Sequence, residues 1–221
     1  MNMNVRKGSL KHQIAEEIRK AIFRGDLKPG EKVTELKLSK DFEVSRGPIR
    51  EAMQLLVMEG LLVSTTFKET KVANITSEEA NELLVPIRIN IETFALKKGF
   101  PLWGQQHFEQ FEEVLEQMRR AANFNDTPLF SDLDMQFHEL IVRSSNMYNV
   151  KSLWDSVLNR SRLLFIYEND LPFDLQKYTE FHRTLLDSFK TGDLDFAIRT
   201  LKDHIIQSNS LNIEFPIEGD K

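Results

Sequence analysis

Cysteine is absent from the 221 residues. That excludes a disulfide scaffold, a thiolate metal site and a cysteine nucleophile, and it accords with a reducing compartment. No apolar run approaches the roughly 20 residues that span a bilayer as a helix. Met1 to Leu10 lacks the apolar core of a secretory signal. The expectation is a cytoplasmic protein with no membrane partner. No internal repeat or low-complexity tract is visible, and glycine and proline thin out toward the back of the chain. Hydrophobic residues make up 41% and charged residues 29%, the balance of a folded globular chain rather than a disordered one.

The net charge of −5 is unevenly spread. Residues 1–76 hold 14 Lys and Arg against 10 Asp and Glu, a net of +4, and the remainder carries −9. A basic front and an acidic back suggest two modules with different partners. A phosphate backbone attracts the first and repels the second.

Leu10, Ile14, Ile18, Ala21 and Ile22 recur at helical spacing, which predicts a first helix from about Ser9 to Phe23. Gly25 and Pro29-Gly30 then force a turn. A short second helix is expected from Thr34 to Asp41, and a third from Ser45 to near Gly60. Leu61 to Thr65 and Lys71 to Ala73 read as two short strands. Three helices and a hairpin make a winged helix-turn-helix, assigned to residues 1–76. From Ser77 onward every segment is helical in period, with helices expected near 77–97, 102–122, 127–145, 148–169, 174–190 and 193–212. Six helices with short connections imply a mostly antiparallel bundle over 77–221. Pro86 falls inside the first of these helices and is expected to kink it. The fold class is therefore mainly α: a winged helix-turn-helix followed by an all-α bundle.

The third helix carries a specific pattern. Ser45 is placed as its N-cap, with Gly47 supplying the donor because Pro48 has no N–H. Ile49, Ala52, Met53 and Leu56 form the packing side, and Arg46, Arg50 and Gln54 form a stripe on the other. Two cations near a helix N-terminus oppose its dipole, which is mildly unfavourable in isolation and useful against DNA. Arginine grips guanine O6 and N7 bidentately, or a phosphate, and the first residues of a recognition helix meet base edges.

Gly25-Asp26-Leu27-Lys28-Pro29-Gly30, Leu38-Ser39, Val44-Ser45-Arg46, Pro48-Ile49-Arg50-Glu51-Ala52 and Glu59-Gly60-Leu61 together resemble the winged-helix signature of GntR-type bacterial transcription regulators. The resemblance implies that Arg46 and Arg50 contact operator DNA, flanked by Ser45 and Gly47, and that the wing reaches the minor groove. Gly47 stands where members often carry Thr, which removes a hydroxyl. Lys68-Glu69-Thr70 stands where a wing glycine is common. Glu69 there faces phosphates unfavourably, while Lys68 and Lys71 remain candidates for backbone contacts.

In the rear module, three of the five histidines hold special positions. Asp134 and His138 lie four apart on one helix, at the edge of the stripe Leu133, Phe137, Leu140 and Ile141. His182 falls within Phe181, Leu185, Leu186 and Phe189, and His204 adjoins Leu194, Ala197, Ile198, Leu201 and Ile205. Burying a carboxylate and three imidazoles without partners is expensive. A divalent cation would resolve this, and so would a hydrogen-bonded core cluster; spacing alone leaves both open. His12 and His107 fall outside these stripes, and Trp103 and Trp154 read as packing residues.

Asp134-x-x-x-His138, Glu180-Phe181-His182 and Gly192-Asp193 leading to His204 resemble the FCD-type effector domain of the FadR subfamily, in its metal-binding branch. That resemblance implies Asp134, His138, His182 and His204 as ligands to zinc, with nickel or manganese as alternates. It also implies a pocket above the ion for a small carboxylate, with Arg88 and Arg162 near it. A simpler reading pairs Arg88 with Glu92 at i, i+4 and leaves Arg162 as a surface charge. The whole then reads as a ligand-responsive regulator that binds operator DNA as a homodimer. The alternatives are a metal-independent regulator sensing an acyl or other larger ligand, and a metal-dependent hydrolase. Against the hydrolase stand the lack of an HExxH-type motif and of a spare base, so an enzyme is not expected.

Overall fold

In the computed structural model, which describes residues 10–64, 69–167 and 174–210 apart from the side chains of 164–167 and 209–210, the first apolar stripe closes a helix at Leu10–Phe23 (α1). Its buried face is Ile14, Ala15, Ile18 and Ile22. The reversal after it needs positive φ at Gly25 and Gly30, which glycine adopts at no steric cost. Strand β1 (Lys32–Val33) leads into α2 (Glu35–Asp41), whose first turn is capped by Thr34 accepting from the Lys37 N–H. Helix α3 (Arg46–Met58) buries Ile49, Ala52, Met53 and Leu56 against α1 and α2. The turn between α2 and α3 is tied by the Ser39 hydroxyl donating to the Val44 carbonyl at 2.6 Å.

Strands β2 (Leu62–Ser64) and β3 (Thr70–Val72) pair antiparallel, with Val63 opposite Lys71. β1 adds to the other edge of β3, with Lys32 opposite Lys71, so the sheet has three strands in the order β1-β3-β2. The two-strand hairpin expected from sequence is thus a three-strand wing. A two-residue strand is too short to show a period of two. Ser45 also departs from expectation. It stands at the N-cap position with extended backbone, yet its side chain makes no capping bond. Pro48 removes the donor at the third helical position, and the Gly47 N–H is not used in its place.

The chain divides into two compact units, 1–75 and 76–221. The second opens on a reciprocal cap. The Glu79 N–H donates to the Thr76 hydroxyl oxygen at 3.1 Å, and the Thr76 N–H donates to the Glu79 carboxylate at 3.0 Å. Pro86 lies within a run that is helical from 77 to 99, as expected, but the run changes type just before it. A π-helical segment, Glu79–Leu84, precedes it, with the Val85 N–H reaching back to the Ala80 carbonyl. Pro86 then falls in the first turn of α4 (Val85–Gly99). The widened turn absorbs the bond that proline cannot make, so the kink takes the form of a change in helix type.

Helices α5 (Gln105–Asn123), α6 (Thr127–Ser144), α7 (Tyr148–Tyr167), α8 (Leu175–Lys190) and α9 (Leu194–Ser210) follow. Asp126 and Asp174 cap α6 and α8 by accepting from the backbone N–H groups of Leu129 and Lys177. α4 packs on α6 and α9, α5 on α6 and α8, and α8 on α9. Leu96, Phe111, Met118, Phe137, Phe189 and Leu201 are among the buried core, and the Phe111 and Phe137 rings lie 4.8 Å apart. Trp154 is fully buried with Ala95, Val142 and Val150 in a smaller cluster. The C-terminal ends of α4 and α6 approach so closely that a Cβ on Gly99 would lie 2.7 Å from Ser144 Cβ and from its backbone carbon.

Gly99→Ala is expected to lower stability by about 1–3 kcal/mol, because backbone must yield. Gly47→Ala, where a Cβ meets nothing within 4 Å, should be neutral or stabilise by up to about 1 kcal/mol through helix propensity. Urea unfolding followed by far-ultraviolet circular dichroism checks both.

Candidate functional site

In the front unit, Ser45, Arg46, Gly47, Arg50 and Gln54 are all exposed on one side of α3. Arg46, Arg50 and Gln54 border a groove of about 950 Å³ that Thr34, Glu35, Ser64 and Thr70 also line. Arg46 has no ion pair among the described residues. Arg50 is held by Glu35 of α2, with Nε 2.7 Å from Oε1 and Nη2 2.9 Å from Oε2. On the wing, Glu69 lies between two lysines, 3.3 Å from Lys32 and 3.4 Å from Lys71. Their contacts hold its carboxyl below the ordinary glutamate range, Lys32 first and Lys71 second. The sequence reading set Glu69 against phosphates; its charge is met within the wing. Lys68 lies outside the described residues.

In the rear unit, helical period explains why polar groups meet inside. Asp134 and His138 share the face of α6 that buries Phe130, Leu133, Phe137 and Ile141, and they are themselves 3% and 1% exposed. His182 on α8 and His204 on α9 are equally buried, beside Leu185 and Leu186 and beside Leu201 and Ile205. Ligand atoms from the four side chains lie within 4.8 Å of one another. His182 Nε2 is 3.0 Å and His138 Nε2 is 4.0 Å from Asp134 Oδ1, and His138 Nε2 is 3.2 Å from His204 Nε2.

The protons on these rings are assigned from their acceptors. His182 Nδ1–H donates to the Tyr178 carbonyl at 2.8 Å, which leaves its Nε2 as a lone pair. That nitrogen has no hydrogen-bond geometry toward any partner, although Asp134 is close. His138 Nδ1–H donates to Glu92 Oε2 at 2.5 Å, so its Nε2 is bare as well. His204 Nδ1 is buried without a partner. Whichever nitrogen carries its proton, His204 leaves one polar atom unmatched. Lone pairs and a carboxylate thus converge in an apolar core, with unmatched atoms that are costly to bury. The donor set suits a borderline cation held at roughly 2.0–2.2 Å, for which neighbouring ligand atoms stand about 2.8–3.6 Å apart, from octahedral to tetrahedral arrangement. The residues present therefore fit such an ion.

Electrostatics prepare the same chemistry. Burial would raise the Asp134 carboxyl, but at the acid pH where it titrates the contact with His182 and the charges of His138, His182 and Arg88 hold it at about 2. Burial pushes His138 below its ordinary value, with Glu92 opposing. It pushes His204 well below, helped by the neighbouring His182, His138 and Arg88. Anionic carboxylate and neutral imidazole are the forms a metal requires.

Glu92 was missed as a site residue. It is fully buried on α4, with one oxygen on His138 and the other accepting from Arg88 Nε at 2.8 Å. A carboxylate behind a ligand histidine fixes its tautomer and raises its basicity. Despite burial, His138 and Arg88 keep the Glu92 carboxyl below its usual range. The sequence held a signal, since Glu92 falls in the stripe with Ile89 and Leu96 at helical spacing. Arg88 thus pairs at i, i+4, as the simpler reading had it, but inside the bundle rather than on its surface. Its guanidinium also lies 5.9 Å from the Trp154 ring centroid. Arg162 of α7 is paired with Asp132 of α6.

Residues 10–72 match the family of bacterial regulatory proteins called gntR, and residues 83–207 match the FCD domain. An uncharacterized helix-turn-helix regulator of Bacillus subtilis, YdhC, is 34% identical over 88% of this chain and 85% of its own. The gluconate operon transcriptional repressor of Bacillus licheniformis is 28% identical over 86% of this chain and 79% of its own. The Escherichia coli structure of McbR/YncC superposes with a TM-score of 0.79 at 22% identity, covering 93% of this chain and 98% of that one. No helix among the described residues is long and apolar enough to cross a membrane.

Stability of the metal-free protein should fall as pH drops from about 7.5 to 5.5. Histidines with depressed folded pKa values stay neutral in the fold, while the unfolded chain takes up protons near 6.5. Asp134, depressed to about 2, works in a separate window, adding stability that is lost only below about pH 4. Thermal melts of chelator-treated protein check this, and His204→Gln should flatten the upper window.

Proposed function

As the chain belongs to the GntR family of bacterial transcription regulators and carries its FCD domain, we propose that it is a metal-assisted receptor for a small carboxylate that governs operator binding by a homodimer. Its relatives are regulators rather than enzymes, and the reading places it in the cytoplasm. The observation that carries the sensor half is the convergence of Asp134, His138, His182 and His204 with unmatched nitrogen atoms in an apolar core. A divalent cation there, zinc first and nickel or manganese as alternates, supplies a Lewis-acidic centre with positions left for a carboxylate oxygen.

Asp134 offsets part of the ionic charge, and Tyr178 and Glu92 hold two of the rings in the ligating tautomer. In this reading Arg88, now on Glu92, trades that contact for an incoming carboxylate, and Arg162, now on Asp132, serves as a second cation. The B. licheniformis relative represses an operon named for gluconate, itself a hydroxylated carboxylate, which supports the ligand class. An effector that favours one packing of the bundle shifts the population toward it. In the dimer that shift changes the spacing of two reading heads on a near-palindromic site. Arg46 and Arg50 then meet base edges, Ser45 and Gly47 lie against the backbone at the helix start, and Lys68 and Lys71 neutralise phosphates along the wing.

Protein purified without added chelator should contain about one metal ion per chain, and small carboxylates should raise its melting temperature only while the metal is present. Asp134→Ala and His138→Ala should abolish both effects. A carboxylate response untouched by metal removal would favour metal-independent sensing. Glu92→Gln should keep the hydrogen bond from His138 but weaken zinc affinity by about 10- to 100-fold, read by competition with a chromophoric chelator.

A further inference from the structure

Glu35 opens α2 directly after its Thr34 cap and lines the groove in front of α3. Its contact with Arg50 is two-pronged and side-on, through Nε at 2.7 Å and Nη2 at 2.9 Å. A guanidinium has five N–H donors. This pairing engages the Nε–H and one Nη2–H. It leaves the second Nη2–H and both Nη1 donors, and that Nη2–H with one Nη1–H forms the end-on edge. That edge is a bidentate match for guanine O6 and N7.

Resting on the reading of Arg50 as a DNA contact, we propose that Glu35 is a specificity-determining positioning residue: it grips Arg50 from the side, presents its end-on edge to a base and discourages it from gripping phosphate.

Three features of the geometry support this. Both partners are substantially solvated, with side chains 61% and 32% exposed, so the pair adds little to folding. Its value lies in orientation. A long arginine fixed before binding has less rotamer freedom to lose on meeting a base. The carboxylate also cancels the Arg50 charge and would face any phosphate that Arg50 approached. A guanine contact keeps the Glu35 pairing intact, whereas a phosphate contact brings two anions together. Discrimination then comes from penalising the wrong partner. Arg46, exposed on the same helix and without an ion pair among the described residues, keeps its charge unmet. The wing repeats the arrangement, with Glu69 between Lys32 and Lys71.

The test uses full-length protein and a duplex oligonucleotide pool randomised over about 20 base pairs. Selection with the unaltered protein defines the preferred sequence, and Arg50→Ala identifies the position Arg50 reads. Glu35→Ala should cut the base preference at that position roughly three- to tenfold. It should also bind random duplex more tightly, with a log K against log salt slope steeper by about one. Glu35→Gln, which keeps an acceptor for the Arg50 Nε–H, should retain part of the preference and still gain random-duplex affinity. In the Arg50→Ala background, Glu35→Ala should change the preference at no position. Unaltered melting temperatures keep these effects apart from folding, and Glu35→Gln serves alone if Glu35→Ala misfolds.

A Glu35→Ala protein with the original preference and salt slope overturns the proposal alone. An unaltered protein that enriches no sequence, or an Arg50→Ala that flattens none, overturns the reading of Arg50 and the proposal with it.

Discussion

A carboxylate and three imidazoles occupy the middle of an apolar bundle, and the rest of the rear unit is arranged around the cost of having them there. Desolvating such groups is tolerable only where each finds a counter-charge or a hydrogen bond. Part of the matching is visible in the outer layer, where the Tyr178 carbonyl takes one imidazole proton and Glu92 another. Arg88 balances Glu92 and rests against Trp154. The inner layer is left with nitrogen lone pairs and Asp134 pointing at a shared centre. This division of labour, outer groups setting tautomers and inner groups kept electron-rich, is how proteins prepare imidazole for a cation.

The same cluster ties together the helices that define the core. Asp134 and His138 belong to α6, His182 to α8, His204 to α9 and Glu92 to α4. These helices also carry Phe137, Leu186, Leu201 and Leu96, which pack with no exposed surface. A change in what binds at the centre therefore acts on side chains rigidly joined to close-packed helices. Packed interiors shift between discrete arrangements rather than deform smoothly. That gives a chemically small event at the cluster the means to alter the unit as a whole.

The front unit solves a different problem. Its charge excess of +4 over residues 1–76 is modest for a nucleic-acid reader, and several cations on its reading face are already met by acids. Lys71 and Lys32 share Glu69, and Arg50 is taken by Glu35. Paired cations contribute less to long-range attraction and more to directional recognition, because the partner limits where the donors point. On the proposal made for Glu35, the face serves discrimination more than a general electrostatic grip.

Much of this was legible before any coordinates. Apolar residues at helical spacing mark α1, α3, α5, α6, α8 and α9, because an amphipathic helix must turn one face inward whatever it packs against. The spacing of Asp134 and His138 puts both on one face of one helix, and the apolar neighbours of His182 and His204 point those rings inward. The wing strand at Lys32–Val33 and the π-helical turn before Pro86 were not legible; one is too short for a period, and the other answers a local clash. Nor was the Ser45 cap, where a favourable residue type stands unused. Glu92 and Glu35 show the deeper reason. Helical period determines the angle of a side chain about its own axis, so the chain by itself settled which residues face inward and which outward. It does not determine which helix lies opposite, so only the tertiary structure decided that the α4 carboxylate stands behind His138 and that the α2 carboxylate holds Arg50.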